Sequence, residues 1–162
     1  MWLKFLFILA LVDEEAKIVG TDQSSIYDNG NTFPASMLLD GVGLDGLWSP
    51  GFGCAASAKP SASIEWLSLE LDFPRKITRV QIANRVDCCV EFGENVHITI
   101  GPSKVYDPNE PLCRPEIPEL VHEPGFQDYC CTGELHEGKF VKISRTGPWN
   151  LCEVRVFTLK GK

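Results

Sequence analysis

The sequence has no long hydrophobic run and no concentration of positive charge. Its 162 residues carry 22 acidic and 15 basic side chains, which gives a net charge of −7. Nucleic acids and anionic membrane surfaces both attract proteins through concentrated positive charge, so the scattered basic residues argue against both partners. The apolar segment from Phe5 to Val12 is too short to cross a bilayer, which argues against membrane insertion.

Motifs for catalysis and for tetrahedral metal binding are also missing. None of the three histidines (His97, His122 and His136) stands in a recognisable motif with a serine or cysteine nucleophile. No phosphate-binding glycine loop or dinucleotide fingerprint is present, and the absence of Cys-x-x-Cys disfavours a zinc site. The sequence therefore predicts a binding protein and not an enzyme.

A secretory leader is predicted at the start of the chain. A basic start is followed by the apolar segment Phe5 to Val12 and then by three acidic residues, a pattern typical of a signal peptide. We predict a signal segment over 1–16, a single domain over 17–162, and secretion. Cleavage after Val12 and cleavage after Ala16 both remain open, and an apolar segment that stays in the fold is the alternative.

Seven cysteines indicate an oxidising compartment. They stand at positions 54, 88, 89, 113, 130, 131 and 152. Because their number is odd, one thiol stays free or pairs between chains. A disulfide-stabilised extracellular domain is expected.

Strand signals dominate the rest of the chain. Alternating apolar residues predict strands at 64–73, 77–84, 96–100, 139–144 and 152–159. In the first of these, Leu67, Leu69, Leu71 and Phe73 share one face. Short strands with almost no helical period predict an all-β fold, an antiparallel β-sandwich.

The segments between these strands are predicted as turns and loops. Residues 73–76 are expected to turn the chain, and residues 17–35 and 107–125 to form polar loops. A single helical turn is predicted from Ala35 to Gly41. The glycine-rich connection over 41–63 is long enough to suggest a functional role.

Several motifs occur in the order in which one family has them. They are Gln23-Ser24-Ser25-x-Tyr27, Ala35-Ser36 to Asp40-Gly41, the lone Cys54, Trp66, Asn84-Arg85-x-Asp87-Cys88-Cys89, Gly138-Lys139-Phe140-Val141 and Leu151-Cys152-Glu153-Val154. In this combination the chain resembles an F-type lectin (fucolectin) domain over essentially its whole mature length. The resemblance implies a β-jelly roll that binds terminal fucose without catalysis. It also implies the disulfides Cys54–Cys152, Cys88–Cys89 and Cys113 with either Cys130 or Cys131.

The sugar site that the resemblance implies is centred on Arg85. Asp87 matches the carboxylate of the family motif, and Cys88 and Cys89 match a disulfide platform for the apolar part of the sugar ring. Arg85 would donate charge-assisted hydrogen bonds to sugar oxygens. The competing interpretation is an Arg85–Asp87 ion pair that only steadies the loop.

Two of the three polar donors of that site are missing from this chain. The second basic residue of the family falls at Phe92, and its histidine falls at Ala56. We therefore predict a fucose-type site that is altered or weakened. Phe92 is expected either to stack on a sugar face or to be a plain packing residue.

A structural calcium ion is the cofactor that the resemblance implies. Calcium takes six to eight oxygen ligands, many of them backbone carbonyls. The matching positions are Met37, Asp40, Val42, Gly53, Cys152 and Glu153. Asp40 and Glu153 supply carboxylates, the others supply backbone oxygens only, and Asp45 is an alternative ligand. A glycine-rich loop held by the disulfide alone is the competing interpretation.

The sequence leaves two hypotheses for function. In the first, a secreted lectin-like module binds a glycan or glycoprotein near Arg85, and a homo-oligomer would add avidity. In the second, a degenerate lectin fold serves as an extracellular protein-interaction or structural domain. The retained Arg85, Asp87 and cysteine pair favour the first hypothesis, whereas Ala56 and Phe92 favour the second.

Overall fold

The structure is a computed structural model that describes residues 12–30, 32–48, 53–58 and 62–161. Most of the predicted leader, residues 1–11, lies outside the described residues, as do parts of the predicted 41–63 connection. Within the described ranges, no helix is long and apolar enough to cross a membrane.

Nine strands and two short 3-10 helices form the described part of the chain. The strands are β1 (Asp13–Glu15), β2 (Ile18–Gln23), β3 (Ala55–Ala56), β4 (Ile64–Asn84), β5 (Glu94–Gly101), β6 (Ile117–Glu119), β7 (Gln127–Cys130), β8 (Glu137–Thr146) and β9 (Asn150–Leu159). The 3-10 helices span Ala35–Leu39 and Val90–Gly93. The first of them is the helical turn that the sequence predicts at this position.

Two antiparallel sheets share the long strand β4. Its first half pairs with β2 and β8, and β8 continues through β5 to β6. Its second half pairs with β7 and β9, while β1 and β3 lie along the other edge of β9. The predicted antiparallel jelly roll is confirmed.

One apolar core lies between the sheets. Fully buried side chains come from β4, β5, β8 and β9, and they include Leu67, Leu69, Leu71, Val80, Ile98, Ile100, Val141 and Val156. Successive strand residues point to opposite faces, which is why the predicted run of alternating leucines enters the core. Burying one such side chain stabilises the fold by about 1.5–3 kcal/mol.

The end of this leucine face differs from the prediction. Phe73 is 51% exposed and lies under the guanidinium of Arg75, 3.8 Å from its carbon. The predicted turn at 73–76 is also wrong, because β4 is continuous through these residues. Its register with β8 shifts between Glu70 and Arg75, and such a bulge bends a strand without ending it.

Two strands lie in segments that the sequence predicts as loops. Ile18–Gln23 forms β2 inside the predicted loop 17–35, and Ile117–Glu119 forms β6 inside 107–125. Both are short strands at a sheet edge, where polar residues are common and the alternating signal is weak.

Three disulfides stabilise the domain, and they confirm the predicted pairs. They join Cys54 to Cys152, Cys88 to Cys89, and Cys113 to Cys131. Of the two residues left open for Cys113, Cys131 is therefore its partner, and Cys130 is free and exposed. Cys54 and Cys152 are 98 residues apart, and closing a loop of this size stabilises by roughly 4–5 kcal/mol in the chain-entropy model.

Candidate functional site

A shallow cleft lies where the end of β4 meets β3 and the start of β9. Its volume is about 100 Å³, whereas pockets for drug-sized ligands measure about 300–1,000 Å³. The cleft therefore suits a group about as large as one sugar residue. Its lining consists of Tyr27, Asn29, Trp48, Ala56, Ser57, Arg85, Phe92, Trp149 and Asn150.

Three predicted positions come together in this cleft. Arg85 follows the last residue of β4, Phe92 lies in the second 3-10 helix, and Ala56 ends β3. These are the positions at which the resemblance places the three polar donors of a sugar site. Two of the three carry apolar side chains here, so Arg85 alone keeps the expected chemistry.

Arg85 is fixed in place by Asp87. Its Nε donates to Asp87 Oδ1 at 2.6 Å and its Nη2 donates to Oδ2 at 3.2 Å. These hydrogen bonds, with a weaker contribution from the Trp48 amide, lower the pKa of Asp87 from its ordinary value of 3.8. A guanidinium has five N–H donors, and Asp87 accepts from two of them. Among the described residues, none accepts from the other three.

An aromatic stack supports the other side of Arg85. The guanidinium carbon lies 4.5 Å from the centre of the Trp48 ring. Trp48 stacks on the fully buried Phe33 with ring centres 4.2 Å apart, and Tyr27 stacks on Phe33 at 5.8 Å. Tyr27 and Trp48 both line the cleft, so this aromatic stack supplies part of its apolar wall.

Gly46 lets the Trp48 loop approach the end of β4. Its φ is +71°, and a Cβ here would lie 2.8 Å from the carbonyl oxygen of Asn84. Val86 donates its amide to the Gly46 carbonyl at 2.8 Å. A residue with a side chain would push the loop away from Arg85, because the left-handed backbone and the close contact both favour glycine.

The floor of the cleft is rigid. The Ser57 amide donates to the Trp149 carbonyl at 3.0 Å, and the Trp149 amide donates to Ser57 Oγ at 3.0 Å. Both residues are buried. Asn150, the first residue of β9, pairs directly with Ala56.

The vicinal disulfide lies beside the cleft and does not line it. Cys89 has a left-handed backbone with φ of 64°, and its carbonyl accepts the Phe92 amide at 2.9 Å. Cys88 and Cys89 therefore shape the turn that positions Phe92. Their predicted contact with a sugar, like that of Asp87, remains a prediction.

Six lining residues were not predicted as site residues: Tyr27, Asn29, Trp48, Ser57, Trp149 and Asn150. Tyr27 and Trp48 could have been predicted as site residues, because each is an aromatic residue in a polar or glycine-rich loop. Ser57 and Asn150 carry no such signal, because they reach the cleft only through the pairing of β3 with β9.

The predicted calcium ligands Asp40 and Glu153 lie together at the loop that follows the first 3-10 helix. The Val42 amide donates to Asp40 Oδ1 at 2.9 Å and to Glu153 Oε1 at 3.0 Å. Burial, together with the hydrogen bond to Asp40 and the charge of Asp40, raises the pKa of Glu153 to about 7. Two carboxyl groups thus share one small site, and a cation would relieve their mutual repulsion.

Two backbone carbonyl oxygens lie close to Gly43, in the same loop as Asp40 and Val42. A Cβ on Gly43 would collide with the carbonyl oxygen of Gly53 and lie 2.9 Å from that of Cys152. Hard oxygen donors of this kind are the ligands that calcium prefers. The residues present therefore fit a calcium ion.

Two other residues that were predicted as calcium ligands, Met37 and Asp45, make different contacts. Met37 lies in the first 3-10 helix and packs against the core, and Asp45 Oδ1 instead accepts the Leu47 amide at 3.0 Å. No three His, Cys, Asp or Glu side chains of the described ranges gather to hold a metal. A cation would therefore depend on backbone oxygens.

None of the known family models matches this chain, and no curated protein sequence matches it. Solved structures do. The serum fucolectin of Morone saxatilis (striped bass) superposes with a TM-score of 0.69 at 22% identity, over 88% of this chain and 46% of that one. This chain thus spans about half the length of that fucolectin.

Two smaller modules match over nearly their whole length. A fucose-binding module of Streptococcus pneumoniae has a TM-score of 0.61 at 26% identity, over 87% of this chain and 94% of that one. The family 32 carbohydrate-binding module of C. perfringens NanJ, solved in complex with galactose, has a TM-score of 0.64 at 16% identity, over 90% of this chain and 99% of that one. The chain therefore has the jelly-roll fold of F-type lectins and discoidin-like carbohydrate-binding modules, as its sequence predicts.

Proposed function

We propose that this protein is a secreted, non-catalytic lectin that binds a glycan in the cleft beside Arg85. The observation that carries the proposal is the convergence of Ala56, Arg85 and Phe92 on one sugar-sized cleft. Arg85 is already oriented there by Asp87 and Trp48. A donor that is held in place before binding loses less entropy when the ligand arrives.

The chemistry of the cleft favours a changed specificity over the loss of all binding. Each missing hydrogen bond to a sugar costs about 0.5–1.5 kcal/mol of binding free energy for a neutral partner. Because Ala56 and Phe92 replace two polar donors, the affinity for fucose is lowered. The rings of Tyr27, Trp48 and Phe92 add apolar surface in exchange. Packing of a sugar residue against this apolar surface can replace part of the lost interaction.

The solved structures support a glycan as the partner. One is a fucolectin, one is a fucose-binding module and one was solved in complex with galactose. All three share the fold of this chain, and fold alone does not fix a ligand. The site residues therefore carry the proposal, and the neighbours indicate the class of ligand to test.

Secretion is part of the proposal. Three disulfides fit an oxidising compartment. Asp13–Glu15 pairs with β9, and Asp13 Oδ2 accepts from Arg79 Nε at 2.8 Å. These contacts support cleavage no later than Val12, since cleavage after Ala16 would remove β1.

We also propose a structural calcium ion held by Asp40, Glu153 and the backbone oxygens of Gly53 and Cys152. The proximity of the two carboxyl groups, and the two carbonyl oxygens close to Gly43, support it. When bound, the ion would join the 40–43 loop to β9 by neutralising both carboxylates.

A glycan array on the folded, secreted domain tests the proposed function. Wild type is compared with Arg85→Ala and with Arg155→Ala, a matched control. Arg155 also stacks on a ring, Phe126 at 4.4 Å, and faces a carboxylate, Glu15 at 3.6 Å, but lies outside the cleft. Binding by wild type and Arg155→Ala with loss in Arg85→Ala is expected. A blank array beside a cooperative melt would instead favour the protein-interaction domain.

A further inference from the structure

Asn150 brings an unpartnered polar group to the cleft. Its exposed fraction is 3%, it lines the cleft, and its carboxamide takes part in none of the hydrogen bonds among the described residues. Next to it, the buried indole Nε1 of Trp149 also has no hydrogen-bond partner in the described part of the chain. The Asn150 carboxamide is open to the cleft, so its donors and acceptor are available to a polar group of a ligand.

Asn150 lies next to Ala56, the position at which the family has a histidine donor that this chain lacks. Asn150 and Ala56 are direct partners in the pairing of β9 with β3. The Cβ atoms of such partners lie about 4.5–5.5 Å apart on one face of the sheet. Asn150 therefore stands beside the position where the resemblance places a histidine, and the small Ala56 side chain leaves space for a ligand between them.

Asn150 is also held firmly. Trp149 before it exchanges two hydrogen bonds with Ser57, Leu151 after it is buried in the core, and Cys152 is bonded to Cys54. A polar group on so rigid a segment keeps its direction when a ligand arrives, which favours selective binding.

The charge of the cleft limits the class of ligand. Arg85 is the one charged residue of the described lining, and its charge is offset by Asp87. An arginine can only donate hydrogen bonds, whereas a carboxamide has two donors and an acceptor. The site therefore complements neighbouring uncharged groups of a sugar, some of which donate and some of which accept.

We propose that Asn150 is a specificity-determining residue of this cleft and that it binds an uncharged sugar residue in place of the histidine missing at Ala56. The inference rests on the proposed function and adds a second polar contact to Arg85. It predicts that acidic sugars are not preferred, because no free positive charge faces the cleft.

Calorimetric titration of the secreted domain tests this assignment. The probes are methyl α-L-fucoside, methyl β-D-galactoside and N-acetyl-D-glucosamine as uncharged sugars, and N-acetylneuraminic acid as the acidic one. At least one uncharged sugar is expected to bind wild type more tightly than the acidic sugar. Asn150→Ala and Asn150→Asp should each weaken that binding about tenfold, which corresponds to loss of one good hydrogen bond.

Two further measurements separate binding from folding. The melting temperature of Asn150→Ala should stay at or above that of wild type, since the carboxamide has no partner to lose within the described residues. Asn109→Ala, in an exposed loop where the carboxamide binds Asp107, is the control and should bind like wild type. If Asn150→Ala fails to fold, Asn150→Ser takes its place.

Each outcome decides the assignment. Unchanged affinity in the Asn150 variants, together with loss of binding in Arg85→Ala, would overturn the role of Asn150 and leave the proposed function intact. Preferential binding of the acidic sugar would overturn the ligand class. Absence of binding in wild type, on the array as well as with these probes, would overturn the proposed function and this assignment with it.

Discussion

The guanidinium carbon of Arg85 lies 4.5 Å from the centre of the Trp48 ring, while Asp87 binds the Nε edge of the same group. Trp48 comes from the glycine-rich connection and Asp87 from the loop after β4, so two separate loops hold one side chain. The Arg85 side chain is 14% exposed. Arg85 is thus restrained on two sides and still offers N–H donors to the cleft.

Asp87→Asn should weaken glycan binding with little effect on stability. The substitution removes the charge that orients Arg85 and one of the two oxygens that accept from it. Because the ion pair is partly exposed, its loss should lower the free energy of unfolding by only about 0.2–1 kcal/mol. Thermal melts and glycan titrations measure the two effects. Asp128→Asn, which removes the exposed partner of Arg79, should leave binding unchanged.

The same pair predicts how binding depends on pH. Hydrogen bonds from Arg85 lower the pKa of Asp87 below its ordinary value of 3.8. When the pKa of a carboxyl group is lowered, the ion pair it makes is fully formed at pH values above the ordinary pKa. The ion pair is lost as the pH falls through the lowered pKa. Glycan affinity should therefore stay constant from about pH 7 to pH 5 and fall only at pH values below 3.8, the ordinary pKa of the Asp87 carboxyl. An Asp87→Asn variant that shows the same acid loss would exclude Asp87 as its cause.

Cys131→Ser and Cys130→Ser should differ sharply in stability. Cys131 closes an 18-residue separation with Cys113, and such a closure is worth about 3 kcal/mol in the chain-entropy model. Cys130 is free and exposed, so its replacement should leave the melting temperature unchanged. Peptide mapping of wild type should give a Cys113–Cys131 bridge. Equal destabilisation by both substitutions would contradict this pairing.

Calcium should stabilise the domain through Asp40. At a hundred times its dissociation constant, a ligand of the native state adds about 2.7 kcal/mol, which for a domain of this size raises the melting temperature by about 5–10 °C. Asp40→Asn should abolish the rise, because it removes one of the two carboxylates. Asp45→Asn should keep it, since Asp45 makes a local hydrogen bond with Leu47 instead. A wild-type melt that calcium does not move would exclude the proposed site.

The parts of the fold that the sequence predicts depend on local patterns. Leu67, Leu69 and Leu71 alternate, so their common burial follows from the period of a strand. The exposure of Phe73 could not be predicted, because it follows from a register shift with β8. Cys130 and Cys131 could not be told apart for a related reason: neighbours in an extended chain point to opposite sides, and the sequence does not say which side faces Cys113.

In the candidate site, too, some contacts can be predicted from local sequence and others cannot. Arg85 and Asp87 are two residues apart, so their ion pair can be inferred from the motif alone. Trp48 reaches Arg85 only because Gly46 fits against the end of β4. Asn150 reaches the cleft only because β9 pairs with β3 in one register. Sequence patterns report periodicity and motifs, whereas these contacts depend on the pairing of distant strands.

Occupation of the cleft beside Arg85 by a glycan is tested most directly through the tryptophan side chains. Trp48 and Trp149 line the cleft, whereas Trp66 lies within β4, paired with Ser144 of β8, and serves as an internal reference. The measurement is a ¹H–¹⁵N spectrum of the three indole groups during titration with the glycan that binds best on the array. If a glycan binds in the cleft, the Trp48 and Trp149 signals shift along one saturation curve while the Trp66 signal stays in place. Saturated binding that leaves Trp48 and Trp149 unmoved would contradict it.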